Sequence, residues 1–320
     1  MNQANMTVDQ DIVRPSSARD YVELLKPRII MLVAFTAIAG LVAAQSVTGV
    51  TMNPVMAAIS LLAIALGSGA AGAINMWYDA DIDAVMTRTS TRPIPSGAVP
   101  RAEALTLGLI MAGVSVLLMW LSSTVMATGL LALSIAYYGW FYTMLLKRRT
   151  PQNIVIGGAA GAFPPVIGWA AVTGSAPLDA WLLFAIIFFW TPPHFWALSL
   201  VAHKEYAKAS VPMLPVTHGA RATRRHILAY TVLLVPLALA PVITGLGGWL
   251  YAVTAAVSGL VFLGFAVLVF RSRAGETDAG AAERKLAMGM FAFSIFYLFI
   301  LFTAVLLEHG AGLYLPVGGA

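Results

Sequence analysis

PVMAAISLLAIALGSGAAGAINMWYDADIDAVMTRTSTRPIPSG, residues 54–97, joins a long uncharged block to a dense polar one. Residues 54–76 carry no charged side chain, and about 20 such residues cross the hydrocarbon of a bilayer as a helix. Asn75, Asp79, Asp81 and Asp83 then close the block, Arg88 and Arg92 follow, and the segment TRPIPSG ends it with two prolines and a glycine. A membrane span therefore delivers carboxylates and guanidinium groups to one bilayer surface.

The rest of the chain repeats the apolar half of this pattern. Hydrophobic residues make up 59% of the sequence and charged residues only 10%, against roughly 25% charged in soluble domains. Apolar blocks predict spanning helices near 29–47, 54–76, 103–121, 125–145, 153–173, 179–201, 227–245, 249–270 and 287–307. Under that assignment all 19 Lys and Arg residues lie on one side, which the positive-inside rule makes the cytoplasm. Of the 14 acidic residues only Asp179 and Glu308 fall elsewhere. The expected fold is all-α: a polytopic membrane protein of about nine transmembrane helices around a central cavity open towards the cytoplasmic side. The long loops 77–102 and 202–226 stand four helices apart, as two four-helix halves plus a ninth helix would place them.

Residues 1–22 read as a polar N-terminal tail, too charged for a signal peptide, 23–308 as a single transmembrane domain, and 309–320 as a short non-cytoplasmic tail. The absence of cysteine excludes disulfides, thiolate nucleophiles and iron–sulfur clusters, so any metal takes oxygen or histidine ligands. The net charge of +5 belongs to the cytoplasmic loops, and no nucleic-acid motif accompanies it.

Asn75, Asp79 and Asp83 recur at i, i+4, i+8 and share one helical face over about 12 Å, while Asp81 points away. A carboxamide and two carboxylates in two turns suit a hard cation such as Mg²⁺, which usually binds one or two carboxylates and completes its shell with substrate phosphates. A solvated helix end would explain the acids alone. Polar groups at membrane depth are costly and usually functional, and Arg88 and Arg92 stand where diphosphate partners would.

The sixth predicted helix, FFWTPPHFWALSLVAHKEYAKASVPMLP, interrupts its apolar run with Pro192 and Pro193 and sets His194 behind them. Glu205 lies eleven residues on, near the same face, and is expected to face the carboxylates of the second helix across a cavity, ligating the same Mg²⁺ or a second one. Lys204 or Lys208 would neutralise phosphate, as would Lys147 and Arg148 after YYGWFYTMLL, although the latter cluster would orient any membrane protein. A metal-bound diphosphate is a good leaving group. The allylic cation it leaves needs a dry chamber and aromatic faces, for which Trp77, Tyr137, Tyr138, Phe163 and Trp169 are placed near helix ends or in the Gly/Pro-rich fifth helix.

Together these residues resemble the intramembrane polyprenyltransferases, whose first signature is NxxxDxxxD at the end of the second helix, here Asn75, Asp79 and Asp83. Within that superfamily DYVELLKPR, TPPHFWALSLVAHKEYAKASVPMLP and the stretch from YTMLLKRRTPQN through PPVIGWAAVTG are similar to the haem-farnesylating branch. The resemblance covers residues 20–41 and most of 70–220. It implies Mg²⁺-dependent transfer of farnesyl from farnesyl diphosphate to a vinyl group of haem B with addition of water, an inner-membrane location with N-terminus and active-site loops cytoplasmic, and haem A synthase or oxidase assembly factors downstream. His194 becomes a candidate to touch haem iron or a propionate, or else a packing histidine beside the proline kink. The family often has Asp before the tyrosine where Glu205 stands, so that half of the site departs from the pattern. A quinone-precursor aromatic acid is the alternative acceptor. A cation transporter would need polar groups at the midplane and on the far side, where few exist.

Overall fold

The computed structural model describes residues 15–317; the first fourteen residues of the expected N-terminal tail and the last three of the C-terminal one lie outside that range. Twelve helices and no strand are found among the described residues: α1 Ala18–Leu24, α2 Pro27–Thr48, α3 Pro54–Tyr78, α4 Ala80–Val85, α5 Arg101–Ser122, α6 Val125–Leu146, α7 Asn153–Thr173, α8 Leu178–Lys208, α9 Leu214–Thr217, α10 Gly219–Thr244, α11 Trp249–Arg271 and α12 Ala281–Gly310. Nine of them, all but α1, α4 and α9, are long and apolar enough to cross a membrane, and each contains one predicted span, save that Gly245 at the end of the seventh caps α10 instead of belonging to it. α8, α10 and α12 run six to eight residues further at their charged ends than hydropathy suggests, because their first or last turns are polar and lie among loops.

The sheath and the centre differ in burial. α7, α8 and α3 bury 72%, 61% and 56% of their most apolar stretch, against 22% for α5 and α6. α2 packs on both α3 and α7, α8 on α7, α10 and α12, and α12 returns to α2, so these helices enclose a central space. The α2–α7 crossing is held by small residues, since lipid gives helices no hydrophobic reason to associate and close backbone approach must substitute. A Cβ on Gly40 would stand 2.0 Å from the Pro165 carbonyl oxygen, and one on Gly168 would stand 2.2 Å from that of Ala37.

Prolines inside the central helices release carbonyls that other groups take up. Pro164 cannot donate to Ala160, and Ser134 Oγ donates to that carbonyl instead at 3.4 Å. The second half of α6, Tyr137–Leu146, adopts the wide π turn, a form that concentrates at functional sites. Near the N-terminus, where a polar tail is expected, Ser17 caps α1 together with Asp20, and Tyr21 hydrogen-bonds Glu103 on α5. The amphipathic spacing of Tyr21, Leu24 and Leu25 against α3 explains the helix; it is too short to register as a span.

Candidate active site

The helices enclose a cavity of about 450 Å³, within the range of small-molecule sites, with one charged end. Lys26, Asn75, Asp83, Arg88, Arg92 and Lys147 line that end, while Val33, Ile64, Leu131, Ile135, Ile187 and Leu298 line much of the remainder.

Asn75 and Asp83 reach the cavity wall, with Asp79 fully buried between them in sequence and off the wall, because the ladder of α3 continues through its own break. Asp79 ends α3 and Ala80 opens α4, yet Asp79 N–H still donates to Asn75 O at 3.0 Å and Asp83 N–H to Asp79 O at 2.8 Å. The i, i+4, i+8 face therefore survives. Asn75, Asp79 and Asp83 are all buried, and Asn75 Nδ2 donates to Asp79 Oδ2 at 2.8 Å and to Thr143 Oγ1 at 3.1 Å. Asp81 faces outward, as its spacing requires, and takes both Arg148 guanidinium nitrogens at 2.6 and 2.7 Å. That bidentate pair holds the Asp81 carboxyl down at about 2.

Each inward-facing acceptor is matched by a cation, and Asp79 has Arg148 as a second at 3.5 Å. Lys26 Nζ donates to Asn75 Oδ1 at 2.7 Å, Lys147 Nζ to Asp79 Oδ2, and Arg92 Nη1 to Asp83 Oδ2 at 2.6 Å. Lys26 reaches inward because its backbone is left-handed, with φ 55° and ψ 63°, immediately before Pro27. A non-glycine residue there costs on the order of 1–3 kcal/mol and marks a place over-determined by its surroundings. Burial, and then the neighbouring Arg92 and Lys147, pull the Lys26 ammonium down to about 7, with Asp79 and Asp83 opposing. Asn153 lines the same end, and its Oδ1 is buried with no hydrogen-bond partner among the described residues. Every donor offered to a metal here is an oxygen, a set suited to a hard cation that keeps open positions for phosphate or water.

A profile of the UbiA prenyltransferase family matches residues 33–295. The chain belongs to the UbiA prenyltransferase family. It is 72% identical over 307 residues to a protein of Hyphomonas neptunium named protoheme IX farnesyltransferase, covering 96% of each chain. It is 57% identical over 298 residues to one of the same name from Methylorubrum populi, covering 93% of this chain and 91% of that one. Among solved structures the fold superposes on a digeranylgeranylglyceryl phosphate synthase with a TM-score of 0.73 at 17% identity, over 90% of this chain and 97% of that chain. A UbiA homologue from Archaeoglobus fulgidus bound to DMAPP and Mg²⁺ superposes with a TM-score of 0.60 at 14% identity, over 89% and 99% of the two chains.

Within this UbiA fold the residues expected at the site divide. Asn75, Asp79, Asp83, Arg92 and Lys147 form one cluster, with Arg88 on the cavity wall beside it. Glu205, expected to face these carboxylates, is absent from the wall; its carboxylate accepts the Thr87 N–H at 2.7 Å and approaches Lys208 at 3.6 Å. It clips the 86–90 loop to α8, and the next residue, Tyr206, lines the cavity in its place. Lys208 is correspondingly turned outward, with 64% of its side chain exposed, while Arg148, off the cavity wall, is held by Asp81 and the Tyr78 carbonyl and also reaches Asp79 Oδ1 at 3.5 Å. Among the described residues no three His, Asp or Glu side chains cluster as a metal site, so a metal would rest on two carboxylates and neutral oxygens. His194 does line the cavity.

Of the aromatics singled out in the sequence, only Tyr138 lines the cavity, joined there by Tyr142 and Trp190; Phe163 and Trp169 are packed in the core. Lys26, Thr143 and Asn153 were not expected at the site. LKPR offered a signal for Lys26, since a lysine fixed before a proline at a helix start has a defined direction. Thr143 has none, because the π turn that brings it to Asn75 leaves no spacing in the sequence.

Proposed function

We propose that this UbiA-family protein transfers farnesyl from farnesyl diphosphate to a vinyl group of haem B, with addition of water, giving the hydroxyethylfarnesyl side chain of haem O for haem-copper oxidases. The observation that carries transfer chemistry is the pairing of buried acceptors with cations at the one charged end of an apolar cavity. The acceptor rests on relatives at 72% and 57% identity that bear the name protoheme IX farnesyltransferase.

Asn75, Asp79 and Asp83 would hold Mg²⁺, with the buried Asn153 Oδ1 a further oxygen nearby. Bound there, Mg²⁺ supplies charge neutralisation to the diphosphate leaving group. Arg88, Arg92, Lys147 and Lys26 bind the phosphate oxygens and stabilise the charge that gathers on them as the allylic carbon–oxygen bond breaks. The farnesyl cation then lies against Tyr138 and Tyr142; Tyr138 already turns its face to a cation, the Lys26 ammonium 5.8 Å from the ring centre, an attraction that desolvation strengthens. The apolar wall excludes water while the haem vinyl π electrons form the new carbon–carbon bond. The cation this leaves next to the porphyrin takes hydroxide from water, releasing one proton, and diphosphate departs.

The surroundings follow from charge. In the sequence all 19 Lys and Arg fall on one side of the nine spans, which supports an inner-membrane protein with its N-terminus and active-site loops cytoplasmic. Its product would pass to haem A synthase or oxidase assembly factors, and lipid contacts the outer faces of α5, α6, α10 and α11.

The test is mass spectrometry of membranes containing the full chain, given haem B, farnesyl diphosphate and Mg²⁺, with EDTA as control. A haem bearing a hydroxyethylfarnesyl group, lost with EDTA, is the expected result. Prenylation of an added hydroxybenzoate with no haem product would overturn the acceptor and keep the diphosphate chemistry.

A further inference from the structure

The apolar part of the cavity is lined by an imidazole that hydrogen-bonds through one nitrogen alone among the described residues. His194, on α8 just past Pro192 and Pro193, is only 7% exposed and lines the cavity. Its ring is clamped between two others, stacked on Trp190 at 4.3 Å and on Phe291 at 4.6 Å between centroids. His194 Nδ1 lies 2.6 Å from Ser294 Oγ. The Ser294 hydroxyl has a single proton and gives it to the Phe291 carbonyl at 2.6 Å. Ser294 Oγ therefore accepts from Nδ1–H, and the network assigns the proton of the neutral ring to Nδ1. Nε2 is left as a bare lone pair with no hydrogen-bond partner among the described residues.

A second set of contacts keeps this geometry rigid. The Ser294 carbonyl accepts the Trp190 indole N–H at 2.7 Å, so one residue of α12 fixes both the imidazole and the ring stacked upon it. An unsatisfied polar atom in an apolar chamber costs free energy unless a ligand supplies its partner. A neutral imidazole whose other nitrogen is held by a hydrogen bond is the usual arrangement of a metal-ligating histidine. The wall is open at one place: Gly161 of α7 lines the cavity and a Cβ there would meet nothing within 4 Å, whereas Gly157 and Gly158 are packed against Tyr142 and Thr191.

We infer that His194 Nε2 is an axial ligand to the iron of the haem acceptor, gripping the macrocycle inside the same cavity whose other end holds the diphosphate. This deepens the proposed function and rests on haem B being the acceptor. The residue lies fourteen positions before the end of α8, roughly 20 Å along the helix at about 1.5 Å per residue, so ligation sets the depth of the macrocycle in the membrane. The role is positioning through a coordinate bond: the iron accepts the Nε2 pair, and no proton or electron moves.

The test uses the full chain in lipid nanodiscs, titrated with ferric haem B and, separately, with metal-free protoporphyrin IX. The wild type is expected to give the absorption and electron paramagnetic resonance spectrum of nitrogen-ligated haem. His194→Ala should lose it, regain it with free imidazole, and bind haem about ten- to hundredfold more weakly, the scale of losing ligand control at a metal. Protoporphyrin affinity should be unchanged. His194→Phe keeps an aromatic ring between Trp190 and Phe291 and serves if the alanine variant does not fold. An unaltered spectrum in both variants would overturn the inference, as would equal loss of haem and protoporphyrin binding, which would mark His194 as packing. Wild-type protein that binds neither porphyrin would overturn the haem acceptor itself, an outcome distinct from haem bound and farnesylated without His194.

Discussion

Lys26 and Asn75, 49 positions apart, meet at 2.7 Å, and the lysine covers the one oxygen of the carboxamide that could face a metal. Asn75 Nδ2 is engaged by Asp79 and Thr143, so the amide cannot flip without losing both bonds, and its oxygen stays directed at Lys26. When metal and diphosphate arrive together, the ammonium can leave the carboxamide for a phosphate oxygen nearby. Lys26→Met should therefore raise KM for farnesyl diphosphate by about ten- to a hundredfold, matching the roughly 1.5–3 kcal/mol of a hydrogen bond to a charged group. Steady-state kinetics at saturating haem would read this, and an unchanged KM would remove Lys26 from the substrate site.

The three aspartates should separate by face. Asp79→Ala and Asp83→Ala each delete a buried carboxylate and strand a cation, and should lower transfer by about a hundredfold or more. Asp81→Ala frees Arg148 on the exposed side and should cost only a few-fold. Equal losses at all three positions in the mass-spectrometric assay would contradict the face assignment.

Glu205→Gln distinguishes a loop clip from a metal ligand. The amide oxygen of Gln can still accept the Thr87 N–H, so activity should stay within about threefold of wild type, less than 1 kcal/mol, at an unaltered Mg²⁺ requirement. A Mg²⁺ titration shifted by an order of magnitude would restore the carboxylate to the metal shell.

Gly40→Val tests the α2–α7 crossing. Its new Cβ would fall inside the Pro165 carbonyl, so the helices must separate, and overpacking of this kind costs about 1–3 kcal/mol or more. Gly113→Ala, on a face with nothing within 4 Å, is the neutral control in a thermal melt in detergent.

These contrasts show what residue spacing carries. The spans were legible because a bilayer demands long apolar runs, and Asn75, Asp79 and Asp83 because helical period alone puts them on one face. Glu205 looked equivalent, yet facing across a cavity depends on how two helices rotate against each other, which no spacing within one helix encodes. Lys26 was hidden by its left-handed backbone, and Thr143 by a π turn that hydrophobic period reads as ordinary helix. Arg148 and Lys208 carry the right charge in the right loops, but Asp81 takes the shorter contacts of Arg148 and Glu205 holds Lys208, and such competition is settled only in three dimensions.

Ser294 carries a consequence for biogenesis. α12 leaves the ribosome after the other eight described spans, and the imidazole of α8 acquires its orientation only when that serine arrives. Glu308 near the other end of α12 likewise accepts the N–H groups of Gly248 and Tyr251 that open α11. The first eight spans can insert and fold as they emerge, with Asn75, Asp79 and Asp83 and their partners Lys26, Arg92 and Lys147 already assembled. A nascent chain halted there could bind a prenyl diphosphate and would have no oriented ring for an acceptor. Order of synthesis thus places orientation of the α8 imidazole after assembly of the charged end of the site.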